Sequence, residues 1–116
     1  MKRMMFFAGM IGIMLVFGTG TAAAQGYTGP GLDAVTVVEA KNFRDDTPVV
    51  LRGKIERFLG NERYLFTDST GTITVEIDDM LWVGLSINQN DTVEVSGEVD
   101  KDFRGIEIEV NSIKKI

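Results

Sequence analysis

A small all-β barrel with a short helix at its front is the fold this chain predicts. Three observations carry that reading. Apolar residues alternate with polar ones in short runs between Val49 and Val110, the period of half-buried strands. The runs group as three and two, with a non-strand insert from Asp78 to Asn90 between the groups. Turn-forming clusters close the runs at Gly60-Asn61, Asp68-Ser69-Thr70-Gly71, Asn88-Gln89-Asn90-Asp91 and Asp100-Lys101-Asp102.

The barrel is preceded by a segment of another kind. Lys2 and Arg3 stand before an apolar run from Met4 to Phe17, and Ala22-Ala23-Ala24 places small residues at the −3 and −1 positions of a cut before Gln25. That three-part pattern reads as a secretory signal peptide over residues 1–24. The apolar run has roughly 14 residues against the ~20 needed to span hydrocarbon, and Gly18 and Gly20 close it, so no stable membrane anchor is expected. With no Cys beside the cut no lipid attachment is expected, and the expected location is the periplasm. The 116 residues carry 12 bases and 17 acids, a formal charge of −5. The leader takes two of those bases and no acid, so residues 25–116 keep 10 bases against 17 acids, a charge of −7. A chain of about 90 residues buries roughly 60–65% of its unfolded surface, enough for one core and too little for a second domain or an enclosed catalytic cavity.

Residues 25–34 contain Gly26, Gly29, Pro30 and Gly31 with little apolar content and read as a flexible arm; residues 35–116 form the single domain. Thr36-Val37-Val38-Glu39 fits a capping box, in which the Thr hydroxyl and the Glu carboxylate each accept from a free backbone N–H at a helix start. The helix is expected to reach about Phe43 and to plug one end of the core with Val37, Ala40 and Phe43. In the first strand Val49, Leu51, Gly53 and Ile55 share one face, and Val50, Arg52, Lys54 and Glu56 the other. Gly53, lacking a Cβ, marks the place where that long strand bends. Tyr64-Leu65-Phe66-Thr67 makes a second strand. In the third, Ile73, Val75 and Ile77 face inward while Thr72, Thr74 and Glu76 face out. Asp78-Asp79 caps a short helical turn holding Met80, Leu81 and Trp82. The fourth strand alternates at Val93, Val95, Gly97 and Val99, the fifth at Ile106, Ile108 and Val110.

Five antiparallel strands this rich in Val and Ile must close on themselves, because open edges would recruit other chains. A five-stranded Greek-key OB-fold barrel meets that demand and has a connecting segment after its third strand. An SH3-like small barrel is the alternative, but it does not need a long, coiled first strand.

Several stretches also resemble a known family. They are Asn42-Phe43-Arg44-Asp45-Asp46-Thr47 leading into Val50-Leu51-Arg52-Gly53, Tyr64-Leu65-Phe66-Thr67-Asp68 with Gly71-Thr72-Ile73, and Val75-Glu76-Ile77-Asp78 with Trp82. Asp91 to Asp102 and Ile106 to Val110 continue the likeness. Together they resemble the bacterial OB-fold (BOF) family of YgiW/YdeI-type stress-tolerance proteins. The resemblance implies a periplasmic OB-fold protein associated with envelope stress from peroxide, metals or cationic antimicrobials, and it implies no catalytic site.

Composition narrows the chemistry further. With no His and no Cys, a His-based triad, a thiolate nucleophile and zinc or haem sites built on Cys or His are all excluded. Asp100 and Asp102, two residues apart on a turn, do not set a general acid opposite a base. The chain is therefore expected to be no enzyme and to use no cofactor. A charge of −7 repels the phosphates that nucleic-acid binding must neutralise, so no nucleic acid is expected. The acidic pairs Asp45-Asp46, Asp78-Asp79 and Asp100/Asp102 lack the spacing of a known calcium loop. OB barrels bind mainly across strands two and three and the bordering loops, which makes Arg52, Lys54, Arg63, Thr74, Glu76 and Trp82 the candidate ligand-binding residues. The expected function is a non-enzymatic binding module for a small ligand, a cationic peptide or an envelope protein. The alternative is an acidic sequestrant that attracts divalent cations or cationic peptides through its overall field.

Overall fold

A computed structural model describes residues 31–116; the leader, its cleavage position and the arm as far as Pro30 lie outside the described residues. Thr36 begins the ordered elements as expected. Its hydroxyl accepts from Glu39 N–H at 3.1 Å and the Glu39 carboxylate accepts from Thr36 N–H at 2.8 Å, closing the capping box of α1 (Val37–Ala40). The helix is shorter than its pattern suggested, ending at Ala40 in turns that lead past Phe43. Val37 and Ala40 are fully buried and Phe43 packs against the same core, so the short helix still works as a plug.

Five strands follow: β1 (Pro48–Gly60), β2 (Arg63–Asp68), β3 (Gly71–Glu76), β4 (Val93–Asp102) and β5 (Gly105–Lys115). They close in the order β1-β2-β3-β5-β4, with β4 returning to β1. The expectation of an all-antiparallel set is corrected at one seam, because β3 and β5 run parallel through Thr74↔Glu107, Val75↔Ile108 and Glu76↔Glu109. The long insert and the β4–β5 hairpin carry the chain round so that β5 enters in the direction of β3. Inside the barrel Leu51, Phe66, Val75, Ile77, Val93, Val95, Val99 and Ile108 are fully buried, matching the inward parity read from the alternation.

β1 serves both halves of the barrel. Pro48–Gly53 pairs with β4, whereas Lys54–Gly60 pairs with β2, and the switch falls at Gly53. A Cβ there would collide with the Thr67 carbonyl oxygen and the Phe66 ring, so the strand can cross between partners only with a hydrogen in that place. Gly97 has the same constraint: it sits at the register shift between β4 and β5, where a Cβ would strike the Glu109 backbone.

Three turns differ in detail from their sequence signals. The β1–β2 turn is Asn61-Glu62 rather than Gly60-Asn61, with φ of 52° and 64° at the two residues. Glu62 occupies the left-handed region and uses both ends to hold the insert: its carbonyl accepts from Ile77 N–H and its carboxylate from Asp79 N–H. The Asp100-Lys101-Asp102 triplet is strand, and the reversal comes at Phe103-Arg104, with Gly105 facing Asp102 across the hairpin. In the insert, Asp78 caps a 3₁₀ turn (Asp79–Trp82) by accepting from Met80 N–H at 2.8 Å, as its sequence predicts.

Candidate binding grooves on the barrel

Two concavities on the surface of the described residues take in most of the candidate side chains. The first, about 540 Å³, lies between β3 and the β4–β5 hairpin and is lined by Arg63, Thr74, Asp100, Asp102, Arg104 and Glu107 among others. Strand register makes it acidic. Thr74 pairs with Glu107, which in turn faces Asp100 on β4, and one step along Glu76 pairs with Glu109. Outward residues of three adjacent strands thus place carboxylates side by side. Burial pushes the Asp100 carboxyl above the ordinary Asp range, and the charges of Glu107, Asp45, Glu109 and Asp102 push it the same way. Burial likewise raises Glu76, with Glu107, Glu109 and Glu62 adding to the effect against the opposing Arg63.

Arg63 is the internal counter-ion of this wall. Its Nε donates to Glu107 Oε2 at 2.8 Å and its Nη2 to Glu107 Oε1 at 3.1 Å, a two-point clamp that raises its own pKa through the bond and charge of Glu107. Arg104 is engaged by Asp102 at 2.8 Å, so the hairpin tip neutralises itself. Phe103 beside it is 97% exposed. What remains of the groove is a shallow, hydroxyl-bearing trough in which Asp100, like Glu76 beside it, has no cation dedicated to it by a described ion pair. Chemically it can receive a positively charged group; it holds no nucleophile activated by a base.

The second concavity, about 500 Å³, opens where β1 bends and is lined by Ala34, Val35, Thr36, Arg52, Gly53, Lys54, Thr67, Asp68, Ser69 and Thr92. The six candidates read from sequence are therefore divided. Arg63 and Thr74 line the first groove and Arg52 and Lys54 the second. Glu76 stands beside the first, cross-strand from Arg63. Trp82 lines neither: its ring packs on Tyr64 with centroids 5.2 Å apart, and its indole nitrogen is buried with no hydrogen-bond partner among the described residues. Burial raises the Tyr64 phenol pKa, with the charges of Asp79 and Glu62 adding to the effect and the Trp82 side chain opposing it. Arg104, Ile106 and Glu107 were not singled out from sequence, because their place in the groove depends on the parallel β3–β5 register, which no local pattern encodes.

The closed strand order and the bent β1 define a small OB-fold barrel, with an acidic groove beside β3 and no catalytic constellation among the described residues. The chain belongs to the bacterial OB-fold family: the family described as "Bacterial OB fold (BOF) protein" matches residues 17–115. It is 40% identical to protein YgiW of Escherichia coli, with 95% of this chain and 96% of that one aligned. It is 43% identical to the calcium-regulated OB-fold protein CarO of Pseudomonas aeruginosa, over 92% and 93% of the two chains. Neither name denotes an enzyme. The solved structure of E. coli YgiW superposes with a TM-score of 0.73 at 46% identity, covering 78% of this chain and 98% of that one. The telomere capping protein Ten1 of Schizosaccharomyces pombe, at 16% identity and a TM-score of 0.60 over 71% and 78% of the chains, shares the fold alone.

Proposed function

We propose that this chain is a periplasmic, non-enzymatic binding module of envelope stress tolerance, and that the groove beside β3 is where it takes hold of a cationic group on a peptide or envelope protein. One observation carries the reading: Asp100 lines the trough and Glu76 stands beside it, among other carboxylates, and both are held above their ordinary pKa by burial and like charge. A docking ammonium or guanidinium relieves that repulsion as it binds. Membership of the bacterial OB-fold family supports a binding role, and the signal-peptide pattern of residues 1–24 supports the compartment.

Calorimetric titration with a short lysine-rich peptide tests the groove. Saturable binding at low salt that weakens at high salt and in Asp100→Asn is the expected result; no heat at low salt overturns it. A calcium titration separates the sequestrant reading. Among the described residues no three acidic groups converge to hold an ion, so that reading predicts weak, salt-sensitive uptake of several ions without a defined site. N-terminal sequencing of the envelope fraction is expected to start at Gln25, and an intact Met1 in soluble periplasm overturns the export reading. A deletion strain challenged with peroxide, metals and cationic antimicrobials identifies the stress; wild-type survival under all three removes the stress role.

A further inference from the structure

The second groove has the opposite polarity to the first, in a chain that is acidic overall. Arg52 and Lys54 lie two residues apart on the outward face of β1, which puts their strand positions about 7 Å apart. Arg52 is paired with Glu94, which is shared: its Oε2 accepts from Arg52 Nε at 2.8 Å while its Oε1 faces Lys114 Nζ at 3.5 Å. One carboxylate therefore answers two cations. Lys54 has no partner among the described residues, although acids outnumber bases in the chain.

The groove's own carboxylate, Asp68, is already consumed. Its Oδ1 accepts from Thr70 N–H at 2.8 Å, Thr70 Oγ1 at 2.6 Å and Gly71 N–H at 3.2 Å, and its Oδ2 accepts from Val37 N–H at 2.9 Å. Those four donors take the lone pairs that a lysine would otherwise use. The groove is also lined by Thr36, Thr67, Ser69 and Thr92, of which Ser69 and Thr92 are exposed, whereas the Thr67 hydroxyl is turned to the Asp68 and Gly71 carbonyl oxygens. Ala34 and Val35 supply the apolar part of the lining, beside the backbone of Gly53.

We propose that this groove is a second binding site, one that takes a small molecule bearing an oxyanion, carboxylate or phosphate, on an apolar stem. Lys54 supplies the unspent charge and Arg52 a second positive field. The hydroxyls of Thr36, Ser69 and Thr92 complete the oxyanion's hydrogen bonds, and Ala34 and Val35 receive the stem. The site is independent of the acidic groove.

The test is an amide-shift titration of the isotopically labelled protein with butyrate and, separately, inorganic phosphate, followed at Gly53, Lys54, Thr67 and Ser69. Saturable shifts confined to these residues are expected, with an apparent Kd at least fivefold weaker in Lys54→Gln and unchanged in Lys41→Gln, an exposed lysine outside the groove that controls for net charge. Tighter butyrate binding assigns a carboxylate on an apolar stem; tighter phosphate binding assigns a phosphate head. Shifts that stay linear with concentration, or the same Kd in Lys54→Gln as in the parent, overturn the proposal.

Discussion

Asp68 and Asp100 are the same side chain used in opposite ways. Burial works against ionisation in both, but at Asp68 the bonds from the Thr70 hydroxyl and from the N–H groups of Val37, Thr70 and Gly71 outweigh it and hold the pKa below the ordinary range. At Asp100 the neighbours are Glu107, Asp45, Glu109 and Asp102, and the pKa goes up. The first carboxylate ties the β2–β3 hairpin to α1 and has nothing left to offer a ligand. The second gains from a cation that the protein does not dedicate to it. Charge alone therefore does not mark a binding residue; the number of donors already aimed at it does.

Both regions rest on close backbone contacts, and breaking those has the largest effect. Gly53→Val drives a side chain into Thr67, next to Asp68, and Gly97→Val drives one into Glu109 in the acidic wall. Each is expected to cost about 3 kcal/mol, the upper part of the overpacking range, because backbone rather than a movable side chain stands in the way. Thermal melts should show both variants among the least stable folded forms of the protein, and midpoints equal to the parent would mean that the strands do not approach there as described. Asp68→Asn comes next. Replacing an acceptor-only group by an amide leaves N–H groups facing N–H groups, at a cost of about 2 kcal/mol, or on the order of 10 °C in midpoint for a domain of this size.

Asp100→Asn should move the other way. Removing one of several like charges is expected to stabilise by less than about 1 kcal/mol while weakening cationic-peptide binding, a split that a purely structural residue does not show. The pH profile sharpens the contrast. Asp100 and Glu76 hold protons more tightly folded than unfolded, so their contribution is full below the ordinary carboxylate pKa and is lost as pH rises through their raised values. Asp68 and Glu94, the latter lowered by its bond to Arg52, contribute above the ordinary pKa and lose it as pH falls through their depressed values. Stability measured by denaturant titration is expected to rise on mild acidification and fall on stronger acidification. Asp100→Asn should flatten the first limb and Asp68→Asn the second. The smallest effect belongs to Thr74→Val, within about 0.5 kcal/mol, since the residue faces outward and makes none of the described side-chain hydrogen bonds.

Local chemistry made much of this fold legible. The capping box at Thr36 and Glu39, the Asp68–Gly71 hairpin, the inward parity of Val75 and Val95 and the bend at Gly53 each depend on residues close in sequence, and each stands where its pattern puts it. The misreadings share a different cause. Asp100-Lys101-Asp102 has turn composition, yet Gly105, at φ 148°, adopts a backbone that lets the strand run on to Asp102. Gly97 looks like one more inward position in the alternation of β4, whereas the β5 backbone requires its hydrogen. The acidic groove is assembled by Glu107, whose alignment with Thr74 is decided by closure of the whole barrel.

Glu62 has a consequence in time as well as in shape. It keeps a left-handed backbone, which costs a non-glycine residue about 1 kcal/mol, and its two hydrogen bonds to Ile77 and Asp79 clasp the insert to the hairpin. The 3₁₀ turn beyond that clasp has no fully buried residue. The insert should then open as a unit of its own, its amides exchanging with solvent deuterium through brief local excursions while those of Val95, Val99 and Ile108 wait for the barrel to unfold. Glu62→Gly relaxes the backbone but removes the carboxylate's hold on Asp79, and exchange at Met80 to Trp82 should accelerate while the slowest barrel amides keep their protection. If insert and barrel exchange together in both forms, the clasp does not divide the domain.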